Sequence, residues 1–358
     1  MIFKGNKGEW SELYAFVKLL STGKLYAADK DVQRINNIFF PILKILRSEE
    51  TGSNTEYIIH SSDGSVDIHW HTEAIRNIPQ HTLKRMAAYL YQSITLGNNR
   101  SFEIEGSEEI MDMLSCSKIS APSTDKTDIT MQIHDIHTGY SPICGFSIKS
   151  ELGSAPTLLN ASGATNFIFE VGNISDEQME HINSISTNKK ILDRINMLTE
   201  IGTLKFSKAK NSIFSGNLML IDTYMEYIIS ELLLDFYLGN GQTCSDLVSR
   251  LEARNPLNYP RKGLYEYKFK KFLCSIALGM MPSKIWNGLD EANGGYIIVK
   301  EDGDVVAYHI YNRDAFEAYL LENTKFERGS TSKHDFASIY KDSTDQKFIN
   351  LNLQIRFK

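Results

Sequence analysis

The chain has few cysteines, the residues that are typical of secreted, disulfide-bonded domains and of zinc-binding domains. Its 358 residues contain four cysteines, Cys116, Cys144, Cys244 and Cys274, and no two of them form a C-x-x-C pair. The sequence therefore indicates neither a disulfide framework nor a zinc ribbon, and we expect reduced, buried thiols. Proline is also scarce, with eight residues, while aromatic residues reach 11%. That composition is typical of an ordered globular protein.

Long hydrophobic runs are missing as well. No apolar stretch reaches the ~20 residues that a membrane-spanning helix needs. The most apolar segment, 218–238, is interrupted by four acidic residues and predicts one long soluble helix, at 217–237. Residues 1–8 carry Lys4 and Lys7 but no apolar segment like that of a signal peptide. We therefore expect a cytoplasmic protein without a membrane partner.

The net charge is slightly acidic, at −6, with a sequence pI of about 5.9. A protein that coats DNA is usually basic overall. An enzyme that holds a divalent metal with carboxylates can instead concentrate its cations in one cleft. The net charge therefore neither supports nor excludes a nucleic-acid partner.

Hydrophobic periodicity divides the chain into three parts. Residues 1–174 alternate between predicted helices and strands, residues 175–290 show mainly helical periodicity, and residues 291–358 return to strands around one helix. The pattern predicts an α/β (α+β) fold with a mixed-sheet core, a helical middle region and a small C-terminal α/β part. We expect the C-terminal part to rejoin the core as one body.

One predicted hairpin carries residues suited to phosphodiester chemistry. Asp128 begins its first strand, and Ser147 and Lys149 share a face of the second because side chains alternate along a strand. Carboxylates can hold a hard cation that lowers the pKa of a bound water, and an ammonium group can stabilise charge on phosphate oxygens. The alternative is structural: a lysine on an edge strand and an aspartate capping a turn.

A further carboxylate is expected from the predicted N-terminal helix, at 9–20. Glu12 near its start is the first choice for a second metal ligand beside Asp128, and Glu9, which shares a face with Leu13 and Phe16, is the second. Either glutamate could instead stabilise the helix dipole from its first turn.

Two polar segments are candidates for DNA contact. The first, 150–167, contributes Ser150, Asn160, Ser162 and Asn166; the second, 326–334, contributes Arg328, Ser330, Thr331, Ser332, Lys333 and His334. Their hydroxyl, amide and cationic groups suit phosphates and base edges. Turn and cap chemistry, or an exposed polar loop, explains them equally well. A basic cluster at 261–271 either tracks a DNA backbone or forms a solvated helix face.

Three motifs carry a resemblance to a known family. They are GNKGEWSELY at 5–14, GFSIKS at 145–150 with LLNAS at 158–162, and LNLQIRF at 351–357. Together they resemble HpaII-type restriction endonucleases, from the first residues of the chain to the last. The resemblance implies a PD-(D/E)xK catalytic core within 1–174. It also implies Mg²⁺-dependent cleavage of double-stranded DNA at 5′-CCGG, and a methyltransferase that protects the same site in a restriction-modification system.

By motif, Asp128 is the acid at the start of the strand and Lys149 the catalytic lysine. Ser147 departs from the pattern, because the wider superfamily has Asp or Glu there and a hydroxyl is a poorer metal ligand. Glu12, Gln132 or Glu151 would have to supply the missing oxygen. We expect hydrolysis by metal-activated water, leaving 5′-phosphates. A nuclease of the same core with another target, or a non-catalytic DNA-binding relative, is the alternative. A palindromic target favours a homodimer, although some enzymes of this kind act as monomers.

Overall fold

The computed structural model describes residues 3–50, 53–71, 73–121, 127–136, 138–309 and 313–358. The chain forms two compact units: unit 1 comprises residues 1–156 and 291–319, and unit 2 comprises 157–290 and 320–358. Helix α10 (Arg313–Asn323) contains the third boundary along the chain, between residues 319 and 320. The predicted fold class, mixed α/β, is confirmed, and the four cysteines are buried thiols outside any disulfide.

Unit 1 contains three helices and eleven strands among its described residues. The helices are α1 (Lys7–Thr22), α2 (Gln80–Leu96) and α3 (Ser107–Met113). The strands are β1 (Lys4–Gly5), β2 (Lys24–Ala28), β3 (Arg34–Glu50), β4 (Ser53–His60), β5 (Ser65–Trp70), β6 (Glu73–Pro79), β7 (Phe102–Glu103), β8 (Ile129–Ile133), β9 (Ile143–Ser150), β13 (Gly295–Val299) and β14 (Val305–His309).

Nine of these strands form one mixed sheet, in the order β2-β14-β13-β9-β8-β3-β4-β5-β6. Strand β13 runs parallel to β9, and β14 runs parallel to β2, while β8 and β9 form the predicted antiparallel hairpin. Strand β2 also pairs with the first part of β3. The six strands β2, β14, β13, β9, β8 and β3 are therefore each hydrogen-bonded to the next, and the last to the first, as in a closed barrel. The hairpin β8–β9 therefore lies inside the sheet, with a neighbour on each side.

Helix α1 follows from its sequence and packs against α2 and β9. The Asn6 side chain accepts a hydrogen bond from the Glu9 N–H, and the Glu9 carboxylate accepts one from the Asn6 N–H, which forms a capping box. The helix ends at Gly23, whose φ of +62° is in the left-handed region. Its apolar face, with Leu13 and Leu20, is fully buried. Each such side chain contributes about 1.5–3 kcal/mol on burial.

Unit 2 contains a four-stranded sheet, a three-stranded sheet and most of the helices. The helices are α4 (Asp176–Ser184), α5 (Lys190–Ile201), α6 (Ser212–Ile221), α7 (Met225–Tyr237), α8 (Cys244–Arg254), α9 (Leu264–Leu278) and the short α11 (Thr331–His334). The strands are β10 (Thr157–Leu159), β11 (Asn166–Gly172), β12 (Thr203–Ala209), β15 (Thr324–Phe326), β16 (Ile339–Lys341), β17 (Lys347–Asn352) and β18 (Ile355–Phe357). The sheet orders are β12-β11-β17-β16 and β10-β18-β15.

The domain boundaries differ from those predicted at 174 and 290. Strands β10 and β11 pair with strands of unit 2, so 157–174 belongs to that unit. The C-terminal part is divided, because β13 and β14 extend the sheet of unit 1 whereas β15 to β18 complete the sheets of unit 2.

One local prediction also differs from the structure. The helix expected at 217–237 is two helices, because the Asp222 carboxylate accepts a hydrogen bond from the Tyr224 N–H and turns the chain between α6 and α7. Strand β3 continues through Pro41, which lies where β3 changes partner from β2 to β8. No helix in the described ranges has both the length and the hydropathy to cross a membrane.

Candidate active site

Asp128 is held at the start of β8 by the neighbouring strand. Its N–H donates to the Phe146 carbonyl at 2.9 Å, which extends the β8–β9 ladder by one residue. Its carboxylate oxygen Oδ2 accepts from the Ile148 N–H at 2.6 Å and from the Ser147 hydroxyl at 3.1 Å. The antiparallel register, in which Ile129 faces Phe146, places the carboxylate beside residues 147 and 148.

Ser147 and Lys149 lie on one face of β9, as the alternation predicts. The Lys149 ammonium donates to the Ser147 hydroxyl oxygen at 3.0 Å. That hydroxyl in turn donates to Asp128, so it stands between the carboxylate and the ammonium. Ser147 is buried, with 4% exposure, and Lys149 is half-buried with its Nζ 5.4 Å from the ring centre of Tyr296 on β13. The fold therefore brings together the three hairpin residues predicted to form the site.

Glu12 completes the group from helix α1. Its Oε2 accepts from the Ala121 N–H at 3.0 Å. Burial, and next the negative charge of Asp128, raise the pKa of Glu12 from 4.5 to about 8, against the opposing effects of the Ala121 N–H and the Lys149 charge. Glu9 lies elsewhere, because its carboxylate belongs to the capping box at the helix start. Of the two glutamates considered from the sequence, Glu12 is the one beside the hairpin acid.

The other two residues considered as substitutes for the missing acid face away from this group. Gln132 donates to the Ser141 carbonyl at 2.9 Å, at the turn end of the hairpin. The Glu151 carboxylate accepts from the Glu301 N–H at 3.3 Å, in the turn between β13 and β14, and burial raises its pKa. Of the described residues considered for the site, Asp128, Glu12 and Ser147 are therefore the ones with side-chain oxygens near Lys149.

A cleft of about 760 Å³ in unit 1 gives access to these residues. Glu12, Lys149 and Ser150 line it, and Ser150 also donates to the Ser11 hydroxyl on α1 at 2.8 Å. Sequence reasoning missed other residues that line this cleft: Lys7, Asn98, Asn99 and Arg100. A cation and two amides directly after the end of α2 were a signal that could have found the 98–100 loop.

The donor set suits a hard divalent cation. Among the described residues, no group of three or more His, Cys, Asp or Glu side chains is arranged to hold a metal. Burial, and next the charge of Asp128, raise the pKa of Glu12, and a bound cation would offset both effects. Mg²⁺ commonly takes one or two carboxylates and completes its shell with water. The residues present are compatible with Mg²⁺, and Asp128 and Glu12 are the two carboxylates that could hold it.

Residues 157–167 of the first predicted DNA-contact segment touch the second segment within unit 2, whereas Ser150 belongs to unit 1. A Cβ on Gly329 would lie 2.8 Å from the Cβ of Ala161, so the two loops touch at a position where only glycine fits. Asn160, Arg328, Ser330, Ser332 and Lys333 are exposed, while Ser162, Thr331 and His334 are half-buried.

Asn166 is the exception in this set, because it is fully buried. Its side-chain N–H donates to the His334 carbonyl at 2.9 Å, and its Oδ1 accepts from the Asn352 amide at 2.7 Å. Asn352 also donates to the Ser162 carbonyl at 2.8 Å. Asn166 therefore braces the two loops against each other, and its amide is engaged within the fold instead of facing a ligand.

Comparison with known proteins identifies the relatives of this chain. The sequence model of the HpaII restriction endonuclease family matches residues 6–357. The type II restriction enzyme HpaII of Haemophilus parainfluenzae is 42% identical over 359 aligned residues, covering 99% of each chain. No solved structure is significantly similar to the present chain.

Proposed function

Because the chain belongs to the HpaII restriction endonuclease family, as its motifs indicated, we propose that it is a Mg²⁺-dependent type II restriction endonuclease that cuts double-stranded DNA at 5′-CCGG. The observation that carries the proposal is the hydrogen-bonded group Asp128–Ser147–Lys149, with Glu12 beside it, at a cleft of unit 1. The family to which the chain belongs is one of site-specific endonucleases. Similarity over the whole length of the chain supports the same target.

Each residue of the group has a role that its contacts suggest. Asp128 and Glu12 would hold Mg²⁺, which supplies charge neutralisation and a more acidic water when bound. Asp128 is oriented for this by the Ile148 N–H and the Ser147 hydroxyl. The Lys149 ammonium, held by Ser147, orients the attacking water and stabilises the phosphate oxygens as the P–O bond to the 3′ oxygen breaks, leaving a 5′-phosphate.

Ser147 compensates in part for the acid that the wider superfamily has at this position. It gives Asp128 a second hydrogen bond and Lys149 an uncharged acceptor, and Glu12 supplies the second carboxylate from another element. A palindromic target favours a homodimer, and a methyltransferase acting on the same site would protect host DNA in the cytoplasm.

Lys149→Ala tests the assignment. We expect the variant to lose plasmid cleavage in Mg²⁺ but to retain specific duplex binding in Ca²⁺, because binding does not require the ammonium that assists the water. Lys84→Ala, an exposed lysine on α2 that does not line the cleft, is the matched control and should cut at the wild-type rate. Full cleavage by Lys149→Ala would remove the lysine from the mechanism.

Digestion of plasmid with and without CpG methylation, followed by sequencing of the ends, tests the target. Discrete ends within 5′-CCGG, carrying 5′-phosphates and blocked by methylation, are expected. Discrete ends at another sequence would favour a different target, and dispersed ends a repair or branched-DNA nuclease. Specific binding without any Mg²⁺-dependent nicking would identify a non-catalytic relative.

A further inference from the structure

A second basic depression lies in unit 2, with a volume of about 370 Å³. Its lining includes the cations Lys189, Lys190 and Arg328 and the hydroxyls of 330–332. None of the described residues that line it is Asp or Glu. All of them belong to unit 2, so the pocket is separate from the catalytic cleft of unit 1.

The cations of this pocket differ from many others in the same unit. Arg254 pairs with Glu231 and Asp235, and Lys268 with Asp222. By contrast, Lys189, Lys190 and Arg328 form no ion pair within the part of the chain that the structure describes. These cations would be expected to repel each other, and an anion bound between them would remove that cost.

The neighbouring acid is already neutralised. Glu327 precedes Arg328 in the chain, and its carboxylate lies 2.9 Å from the guanidinium of Arg356 and accepts from Gln354 at 3.2 Å. The positive charge of the pocket is therefore not cancelled by Glu327. Unit 2 as a whole has 21 Lys and Arg against 19 Asp and Glu, whereas unit 1 has 17 against 25.

The composition of the pocket indicates the chemistry of the anion. A phosphate group presents several charged oxygens, and Arg, Lys and hydroxyl side chains are the groups that contact phosphates in nucleic-acid complexes. The loop that carries Arg328 is fixed beforehand, since Gly329 packs on Ala161 and Asn166 holds His334. A preformed loop loses less freedom on binding.

We propose that this pocket binds a backbone phosphate of the DNA substrate, through Lys189, Lys190 and Arg328 with the hydroxyls of Ser330 and Ser332. The inference rests on the proposed function for the identity of its ligand. The pocket positions the duplex and adds an electrostatic, sequence-independent part of the affinity.

The test measures how duplex binding depends on salt, without divalent metal, so that the DNA is not cut. The probe is a fluorescent duplex without a CCGG site, and its dissociation constant is measured between 50 and 200 mM salt. The slope of log affinity against log salt is negative, and Lys189→Ala/Lys190→Ala should reduce its magnitude by about 1, the value for one lost phosphate contact. Lys205→Ala/Lys208→Ala, two exposed lysines on β12 of the same unit that do not line the pocket, should leave it unchanged.

A second variant guards against loss of folding. Ser332→Glu places a carboxylate at an exposed position of the pocket, so it should weaken duplex binding while the melting temperature stays that of the wild type. An unchanged slope in the lysine variant, together with unchanged affinity in Ser332→Glu, would overturn the proposal. Competition by inorganic phosphate with no effect of the variants on duplex binding would mark a site for free phosphate and would also overturn it.

The proposed function is tested separately. Suppose that the wild-type protein fails to cut a CCGG plasmid in Mg²⁺, yet the lysine variant differs from it in salt slope as expected. The endonuclease assignment then fails and the phosphate pocket stands. If it cuts and the slopes of all proteins are equal, the pocket fails and the endonuclease assignment stands.

Discussion

Replacing Glu12 with Gln should stabilise the protein at alkaline pH while abolishing cleavage. The pKa of Glu12 rises from 4.5 to about 8, chiefly through burial and then through Asp128. Between these two pH values the folded state holds a proton that the unfolded state has released. Stability therefore falls as pH rises through this window, and the full cost is present above pH 8.

The size of the cost follows from the same numbers. Each pKa unit corresponds to about 1.4 kcal/mol. The shift from 4.5 to about 8 sets an upper value of about 5 kcal/mol, and solvent screening of a partly exposed side chain reduces this to roughly 3 kcal/mol. Gln has the same shape, and its amide oxygen can still accept from the Ala121 N–H. The variant thus removes the buried charge and keeps the contact.

The assay is urea unfolding at pH 5, 7 and 9 without divalent metal, followed by fluorescence, to which the fully buried Trp10 on α1 contributes. We expect wild type and Glu12→Gln to differ little at pH 5 and the variant to be more stable by roughly 3 kcal/mol at pH 9. Glu9→Gln is the matched control, because it removes a charge from the same helix and a Gln can keep the capping box. Its unfolding curve should follow that of the wild type.

Divalent metal gives the same experiment a second readout. A cation that binds the folded state alone stabilises it by mass action, so Mg²⁺ or Ca²⁺ at pH 8 should raise the wild-type melting temperature more than that of Glu12→Gln. Equal pH dependence in the two proteins would refute the claim that Glu12 is a buried acid beside Asp128. Equal stabilisation by metal would refute its role as a ligand.

Two further variants test the supports of the site and of the unit 2 loops. Ser147→Ala removes a hydrogen bond to the Asp128 carboxylate, worth about 1.5–3 kcal/mol. Single-turnover cleavage should fall by about 10- to 100-fold, and an unchanged rate would show that the hydroxyl does not position the two charged groups. Asn352→Ala leaves the buried Asn166 oxygen and Ser162 carbonyl without that donor, which should cost about 2–4 kcal/mol in thermal unfolding. The exposed Asn160→Ala should be neutral, and equal melting temperatures for both variants would contradict the bracing role.

The hairpin could be predicted because its information is local. Alternation along β9 places Ser147 and Lys149 on one face, and a short antiparallel connection sets Asp128 opposite them. Helix α1 is equally local, since its apolar spacing and Gly23 define a face and an end. Glu12 could be ranked above Glu9 from the sequence, but its position beside Asp128 could not be derived from it. The capping box that occupies Glu9 was readable as N-x-x-E, whereas the proximity of Glu12 to Asp128 depends on how α1 packs on β9.

The division into units could not be predicted for a different reason. Strand β11 pairs with β17, about 180 residues later, and β9 pairs with β13, about 150 residues later. Periodicity within a window carries no signal for such partners. Asn166 illustrates the same limit at one residue: a run of Ser, Thr and Asn looks alike whether it faces solvent or braces a buried junction, and only the packing of Asn352 against it makes the difference.

The net charge of −6 is divided unevenly between the two units, which bears on how the chain can act on a polyanion. The unit that holds the cleft has a formal charge of −8, from 17 Lys and Arg and 25 Asp and Glu, while unit 2 has +2. Carboxylates that hold a cation must approach the phosphate they act on, so their repulsion has to be offset locally by the bound metal and by Lys149. If Asp128 and Glu12 hold a metal as proposed, the acidic unit would need that metal to bind DNA productively, whereas the proposed pocket of unit 2 would attract phosphate without it. Metal should therefore change the affinity for DNA most in variants that lack the lysines of that pocket, because there the remaining attraction comes mainly from the site that metal completes.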